Sequence, residues 1–204
     1  MLHPPKILQS LFPGMIWRIP NEQNNIFLTF DDGPDKEATP RVLDILAKHD
    51  AKATFFCLGR QVEKYPVIFD RIKKEGHAVG NHTYSHLDGW RTRNKNYFND
   101  IERANKIIRS NLFRPPYGRI RPSQIRVLKE KYKIVKWGWM SEDYKQKEIS
   151  NKNFSKYMNK IQNGEILIFH DATKAELDIN LHLVKTLKFI QSLKFSSMTL
   201  TIYS

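Results

Sequence analysis

Along the chain, short apolar runs alternate with longer stretches in which apolar positions recur every three or four residues. Ile26–Phe30 (IFLTF) is nearly continuous in apolar residues, the pattern of a strand covered on both faces. Thr39 and Pro40 mark a helix start, a capping hydroxyl followed by a first-turn proline, and Val42, Leu43, Ile45 and Leu46 give that helix a buried stripe. Ala53–Leu58 reads as the next strand. A helix is predicted from Gln61 to Glu75, with Gly76 as its left-handed stop. Further strands are predicted at Ala78–Val79, Leu112–Phe113, Ile134–Lys136, Ile166–Phe169 and Met198–Ile202. Helical patterns lie among them near Tyr97–Arg109, Pro122–Lys131, Phe154–Ile161 and Leu181–Leu193. This alternation predicts an α/β fold, a distorted (β/α) barrel with about seven parallel strands and outer helices. In such folds chemistry gathers at the C-terminal ends of the strands.

No linker, repeat or low-complexity tract divides residues 26–204, which read as one catalytic domain preceded by an N-terminal segment, residues 1–25. With 204 residues, 40% of them hydrophobic, the chain can bury a substantial core. The single cysteine, Cys57, excludes an intrachain disulfide; in the apolar run ATFFCLG it reads as a core thiol rather than a nucleophile. Lys and Arg total 34 against 21 acids, a formal charge of +13. That imbalance suits an anionic glycan, nucleic acid or membrane surface, or is simply a lysine-rich surface; no run of like charges chooses a specific nucleic-acid site. No segment reaches the length of a membrane span, and the N-terminus lacks the features of a signal peptide, which points to a cytoplasmic protein. Ile7, Leu8, Leu11, Phe12, Met15, Ile16 and Ile19 nevertheless recur at helical spacing. Residues 1–20 either pack on the domain or lie peripherally on a membrane face. No obligate protein partner is implied.

Five polar features fall at predicted strand ends. Asp31 and Asp32, in TFDDGP, follow the first strand, and two adjacent carboxylates repel unless something positive sits beside them. His82 and His86, in NHTYSH, are four residues apart, so two imidazoles can share one helical face and grip one ion. With one carboxylate added, the set suits Zn²⁺ and equally Fe, Co, Ni or Mn. The second acid can then stay ionised beside the ion and take a proton from a water on it. Arg114, in RPPYG, either orients a carboxylate in a fork or sits on a rigid loop, and Tyr117 carries the first free N–H after two prolines. His170 ends the strand ILIFH, on the same face as Ile168. Asp143, in SEDYK, taken alone is an ordinary loop acid. Trp90, Trp137 and Trp139 read as core or cleft wall, with Trp90 and Trp139 also suited to stacking on a sugar ring, and His77 reads as structural.

Taken together and in this order, TFDDGP, the His-Thr-x-x-His pair, RPPYG, the acid of EDYK and ILIFHD resemble the blocks of the polysaccharide deacetylase family, carbohydrate esterases that include chitin and peptidoglycan deacetylases. The resemblance runs from about Ile26 to the C-terminus. It implies removal of acetyl groups from an N-acetylated glycan, dependent on one divalent metal ion, with zinc foremost. Asp31 would be the general base, oriented by Arg114. Asp32, His82 and His86 would hold the metal. The Tyr117 N–H would meet the oxyanion, and His170 would be the general acid, paired with Asp143. Ile168, Tyr144 and Trp139 would wall the acetyl pocket. Tyr144 departs from the family's usual tryptophan and Met140 from an acid often found there, which bears on substrate preference. Alternative readings keep the site but change the substrate, to an O-acetyl ester or a non-sugar amide. A third makes the chain a non-catalytic glycan- or nucleic-acid-binding protein.

Overall fold

The computed structural model describes residues 12, 14–19, 23–141, 154, 158–172 and 176–200. Strands and helices alternate. In chain order they are β1 (Met15–Ile16), β2 (Asn25–Asp31), α1 (Ala38–Lys48), β3 (Ala53–Cys57), α2 (Gly59–Lys64), α3 (Pro66–Lys74), β4 (Ala78–Asn81) and α4 (Asn94–Ile108). There follow β5 (Leu112–Phe113), a 3₁₀ turn (Pro116–Gly118), α5 (Pro122–Leu128), β6 (Lys133–Val135), β7 (Trp139–Met140), β8 (Ile166–His170), α6 (Glu176–Ser192) and β9 (Ser196–Ser197). Among the described residues eight strands hydrogen-bond in the order β1-β6-β5-β4-β3-β2-β8-β7, and β9 pairs with β2; all these pairings are parallel.

One stretch curls the sheet into a distorted barrel. Residues 133–140 begin as β6, beside β5 and β1, and end as β7, beside β8. Between them the Gly138 N–H donates to Ile166 O at 3.0 Å, and a Cβ at Gly138 would run into the Glu165 carboxylate, so a larger residue would have to displace that side chain. The segment after β1 spans the same gap: Arg18 bridges Glu165, and the Ile19 N–H donates to Gly164 O.

Residue alternation on β2 separates two apolar layers. Ile26, Leu28 and Phe30 face outward under the helices, with Phe55, Phe169, Leu43 and Leu187. Phe27 faces inward with Phe56, Val135, Ile166 and Leu200. Being buried on both faces explains the unbroken apolar run. Further along the inner face come Thr29 and Asp31, so the interior turns polar toward the strand ends. Cys57 is fully buried, and burial pushes its thiol up, as fits a core residue.

Several element boundaries differ from expectation for local reasons. The Gln61–Glu75 helix is two helices, broken at Tyr65 (φ −130°, ψ 57°), because Pro66 has no N–H to continue the ladder. Thr39 does not cap α1. The Asp35 carboxylate does, accepting the N–H groups of Glu37 and Ala38 at 2.9 Å each, while the Thr39 hydroxyl donates to Asp171 Oδ2 at 2.6 Å. The last strand pairs at Ser196–Ser197 rather than Met198–Ile202; Leu200 instead tucks under the barrel, its N–H donating to Thr54 Oγ1. Residues 201–202 of that expected strand lie outside the described residues, as do residues 155–157 of the helical pattern at Phe154–Ile161. The strands β1 and β7, two residues each, are too short for any periodicity to reveal. Gly76 (φ 79°) stops α3 as expected.

Phe30 stacks between Phe55 and Phe169 at centroid distances of 5.0 and 5.6 Å. Phe30→Ala is expected to cost about 3–5 kcal/mol in denaturant unfolding; a loss under about 1 kcal/mol would contradict this packing. Glu165 offers a pH test. Burial, opposed by the charge of Arg18, raises its pKa from 4.5 to about 7. A raised folded pKa means stabilisation that is complete below the unfolded value and drains away as pH rises through about 7. Glu165→Gln should therefore gain stability relative to the wild type between pH 5 and 8 in urea titrations, and parallel pH curves would refute it.

Candidate active site

The register of β2 against β8 sets Asp31 opposite His170 and Thr29 opposite Ile168, so these four side chains share the inner face at the strand ends. The turn after β2 carries Asp32, in a left-handed backbone (φ 81°) that L-residues rarely adopt. The turn after β4 carries His82 and then His86 (φ 62°). The set of strand ends is completed by Arg114 and Tyr117 after β5. Asp31, Asp32, His82, His86 and Tyr117 line a cleft of about 390 Å³ together with Met140, Ile168 and His170, and Arg114 lies buried against Asp31.

Arg114 is fully buried. Its Nη1 donates to Asp31 Oδ1 at 2.8 Å and to Thr29 Oγ1 at 2.7 Å, and its Nη2 donates to the Lys136 carbonyl at 2.9 Å. It therefore holds Asp31 through one N–H rather than in the expected two-pronged fork, because its other arm is spent on backbone. The Phe56 ring supports the guanidinium at 4.1 Å.

The Arg114 carbonyl accepts a hydrogen bond from His82 Nδ1 at 2.7 Å. A carbonyl can only accept, so the His82 proton sits on Nδ1 and Nε2 is left facing the cleft. Burial lowers the His82 pKa, opposed by Asp31 and Asp32, which favours the neutral ring. His82 Nε2 lies 3.5 Å and His86 Nε2 3.1 Å from Asp32 Oδ1. One donor atom from each of these three residues falls within 4.8 Å of the other two. Asp32 Oδ1 is buried and has no hydrogen-bond partner. Burial opposes its ionisation, but contact with His86 and the charges of His82, His86 and His170 outweigh that and hold the carboxyl well below the ordinary range. A buried carboxylate oxygen facing imidazole nitrogens, one of them a bare lone pair, fits a divalent cation held by two nitrogens and one oxygen.

Tyr117 (φ 58°) turns its backbone into the cleft mouth, and no partner for its N–H is found among the described residues. Its hydroxyl lies 3.2 Å from His86 Nδ1. Behind the Asp32 turn, Asp171 accepts the Gly33 N–H at 3.1 Å, and a Cβ at Gly33 would run into that carboxylate. Burial, relieved in part by the Thr39 hydroxyl, pushes the Asp171 carboxyl well up.

Of the expected site residues, Asp31, Asp32, His82, His86, Tyr117, Ile168 and His170 line this cleft, and Arg114 is buried behind it, bonded to Asp31. Asp143 and Tyr144 lie outside the described residues. Trp139 does not line the site. Only 1% exposed, it packs on Phe169 at 5.7 Å in the outer layer, because its β7 neighbour Met140, paired with Ile168, is the residue that faces inward. Trp137 and Met140 take its place in the wall. Thr29 and Lys136 were missed. Thr29 had a signal, a hydroxyl two residues before Asp31 on one strand face, whereas nothing local marks Lys136 as buried.

The polysaccharide deacetylase family model matches residues 18–133, more than half of the chain. The chain belongs to the polysaccharide deacetylase family. A peptidoglycan-N-acetylglucosamine deacetylase of Bacillus cereus is 35% identical over 165 residues, 76% of each chain. The crystal structure of the Bc1960 peptidoglycan N-acetylglucosamine deacetylase, in complex with 4-naphthalen-1-yl-N-oxidanyl-benzamide, superposes with a TM-score of 0.86 at 30% identity, covering 97% of this chain and 95% of that one. A CE4 family pseudoenzyme from Bacillus anthracis superposes with a TM-score of 0.82 at 25% identity, covering 96% and 70%. The fold alone therefore does not carry activity, and the polysaccharide deacetylase site has to be judged on its residues. The family implies a divalent metal, and the Asp32, His82 and His86 donors fit one.

Metal-stripped protein titrated with Zn²⁺ should show one site, weakened at least about 100-fold by His82→Ala or Asp32→Ala. Unchanged affinity in either variant would remove these residues from the ligand set.

Proposed function

We propose that this chain hydrolyses the acetamide of an N-acetylated glycan, with N-acetylglucosamine as the reacting sugar and zinc as the metal. The observation that carries the reading is the placing of Asp31, anchored by a buried arginine, between the Asp32–His82–His86 cluster and His170. The names of the relatives support the substrate class. A cation held by the cluster would supply Lewis acidity, making water acidic near neutral pH and withdrawing charge from a carbonyl.

The chain's own residues do the rest. Asp31 Oδ2 lies 3.8 Å from His82 Nε2, at the edge of the cluster, while its Oδ1 is bonded to Arg114. Oδ2 is thus the oxygen that takes a proton from an attacking water. As the water oxygen bonds to the acetamide carbon, the carbonyl oxygen becomes negative and accepts the Tyr117 N–H, a donor worth about 3 kcal/mol in such sites. An amine leaves only once protonated. His170 supplies that proton from the opposite strand, the C–N bond breaks, and acetate and a free amine result. Ile168 and Met140 wall the space for the acetyl methyl. The resemblance also pairs Asp143 with His170 and gives Tyr144 a place in the pocket, and both belong to this proposal.

Acetate release from an N-acetylglucosamine tetramer is the test. Chelator should abolish it and zinc restore it, and Asp31→Asn should lower kcat about 10²–10⁴-fold. Release that survives both treatments would overturn the mechanism. Faster turnover of an O-acetylated xylan than of the tetramer would change the substrate class instead.

A further inference from the structure

Lys136 carries a charge that the mechanism above does not use. It directly follows β6 and is only 7% exposed. Its backbone is tied on two sides: the N–H donates to Ile16 O at 2.7 Å, and the carbonyl accepts Arg114 Nη2 at 2.9 Å. Its side chain runs between two indoles, with Nζ 4.4 Å from the Trp137 ring centroid and 5.2 Å from that of Trp17. Aromatic faces compensate a cation in part. Burial and the Arg114 charge, opposed by Asp31, still lower its pKa to about 7. An amine in such surroundings costs free energy when it is charged, and the partner it reaches is specific.

Lys136 Nζ donates to Gly118 O at 2.7 Å. Gly118 has φ 65°, and a Cβ there would run into Lys136 Nζ and the Trp137 ring, so glycine is what admits the ammonium. The Gly118 carbonyl shares its peptide unit with the Arg119 N–H, which donates to Pro116 O at 3.0 Å. The Pro116 carbonyl in turn shares its peptide unit with the Tyr117 N–H, the donor at the cleft. Two peptide groups thus join the ammonium to that donor in one head-to-tail chain. In such a chain each bond strengthens the next by about 10–30%. A charged first donor makes the first bond about twice as strong as a neutral one. The Tyr117 N–H at the far end becomes a better donor to a negative oxygen, and the turn that carries it is fixed.

We propose that Lys136 is a positioning residue for the oxyanion, its ammonium orienting and polarising the Tyr117 N–H through the Gly118 and Pro116 carbonyls. It touches neither the substrate nor the reacting atoms. Its backbone carbonyl steadies Arg114, so one residue behind the cleft wall serves both the proton acceptor and the oxyanion donor. The catalytic consequence rests on the deacetylase reading; the hydrogen-bonded chain does not.

Lys136→Met keeps an unbranched side chain between the indoles and removes the charge and the donor. On the N-acetylglucosamine tetramer at about pH 6, where the wild-type amine is charged, kcat should fall about tenfold with KM within about twofold. That is less than the roughly 10²–10³ that outright loss of an oxyanion donor costs. Zinc affinity should stay within about threefold, because Lys136 acts on the Tyr117 backbone, whereas a direct partner of the ligands would cost about 10–100-fold. In ¹⁵N-labelled protein without substrate, the Arg119 and Tyr117 amide protons should both move upfield, Arg119 further. An unchanged kcat with lowered stability would leave Lys136 a purely structural residue and overturn the proposal. So would Arg119 and Tyr117 amide resonances that do not move. If Lys136→Met does not fold, Lys136→Gln, which also removes the charge, is read in the same way. If the wild type releases no acetate, the deacetylase reading fails, and the amide shifts decide the hydrogen-bonded chain alone.

Discussion

Everything at the mouth of this barrel depends on compensating two adjacent negative charges. Asp31 and Asp32 follow one another at the end of β2, and each has its own set of compensating neighbours. Asp31 is met by Arg114, fully buried and 2.8 Å away. Asp32 faces the two imidazoles, and its unpartnered oxygen would complete a donor set for a divalent cation. A buried arginine stripped of its carboxylate costs about 3–5 kcal/mol, so the pair holds its geometry. Arg114 also reaches further than a counter-ion. Its carbonyl fixes the His82 tautomer, and its second nitrogen ties to the chain at Lys136. One side chain thereby joins the ends of β2, β4, β5 and β6.

The turns around that pair are held in unfavourable backbone. Asp32, Thr83, His86 and Tyr117 all have positive φ, between 58° and 81°. Each such residue costs on the order of 1–3 kcal/mol and persists only when its surroundings dictate it. The surroundings here are specific. Asp171 grips the Gly33 N–H behind Asp32, the Asn81 side chain accepts the Thr83 N–H, and Lys136 holds the carbonyl after Tyr117. The rigid barrel beneath supplies the rest, with its apolar layers on both sides of β2.

Much of this was legible in the chain. The unbroken apolar run of β2, the helical stripe of α1 and the stop at Gly76 follow from periodicity and glycine chemistry. The acid doublet and the histidine pair pointed to a metal site because, taken together, they offer one divalent cation a carboxylate and two imidazoles. Less legible were features set by three-dimensional neighbours. The inward turn of Met140 in place of Trp139 depends on the register of a two-residue strand. The burial of Lys136 depends on Trp17, more than a hundred residues earlier. The break at Pro66 was also legible, since a proline inside a helical stretch removes an N–H from the ladder. Asp35 rather than Thr39 caps α1 because Thr39 is drawn away by Asp171, a contact across the whole chain.

The shared cation is the central claim, and X-ray absorption at the zinc edge of the singly loaded protein tests it most directly. Two imidazole nitrogens and at least one carboxylate oxygen at about 2.0–2.2 Å are expected, with one imidazole lost in His86→Ala. A spectrum without imidazole scattering, or one unchanged by that substitution, would contradict it.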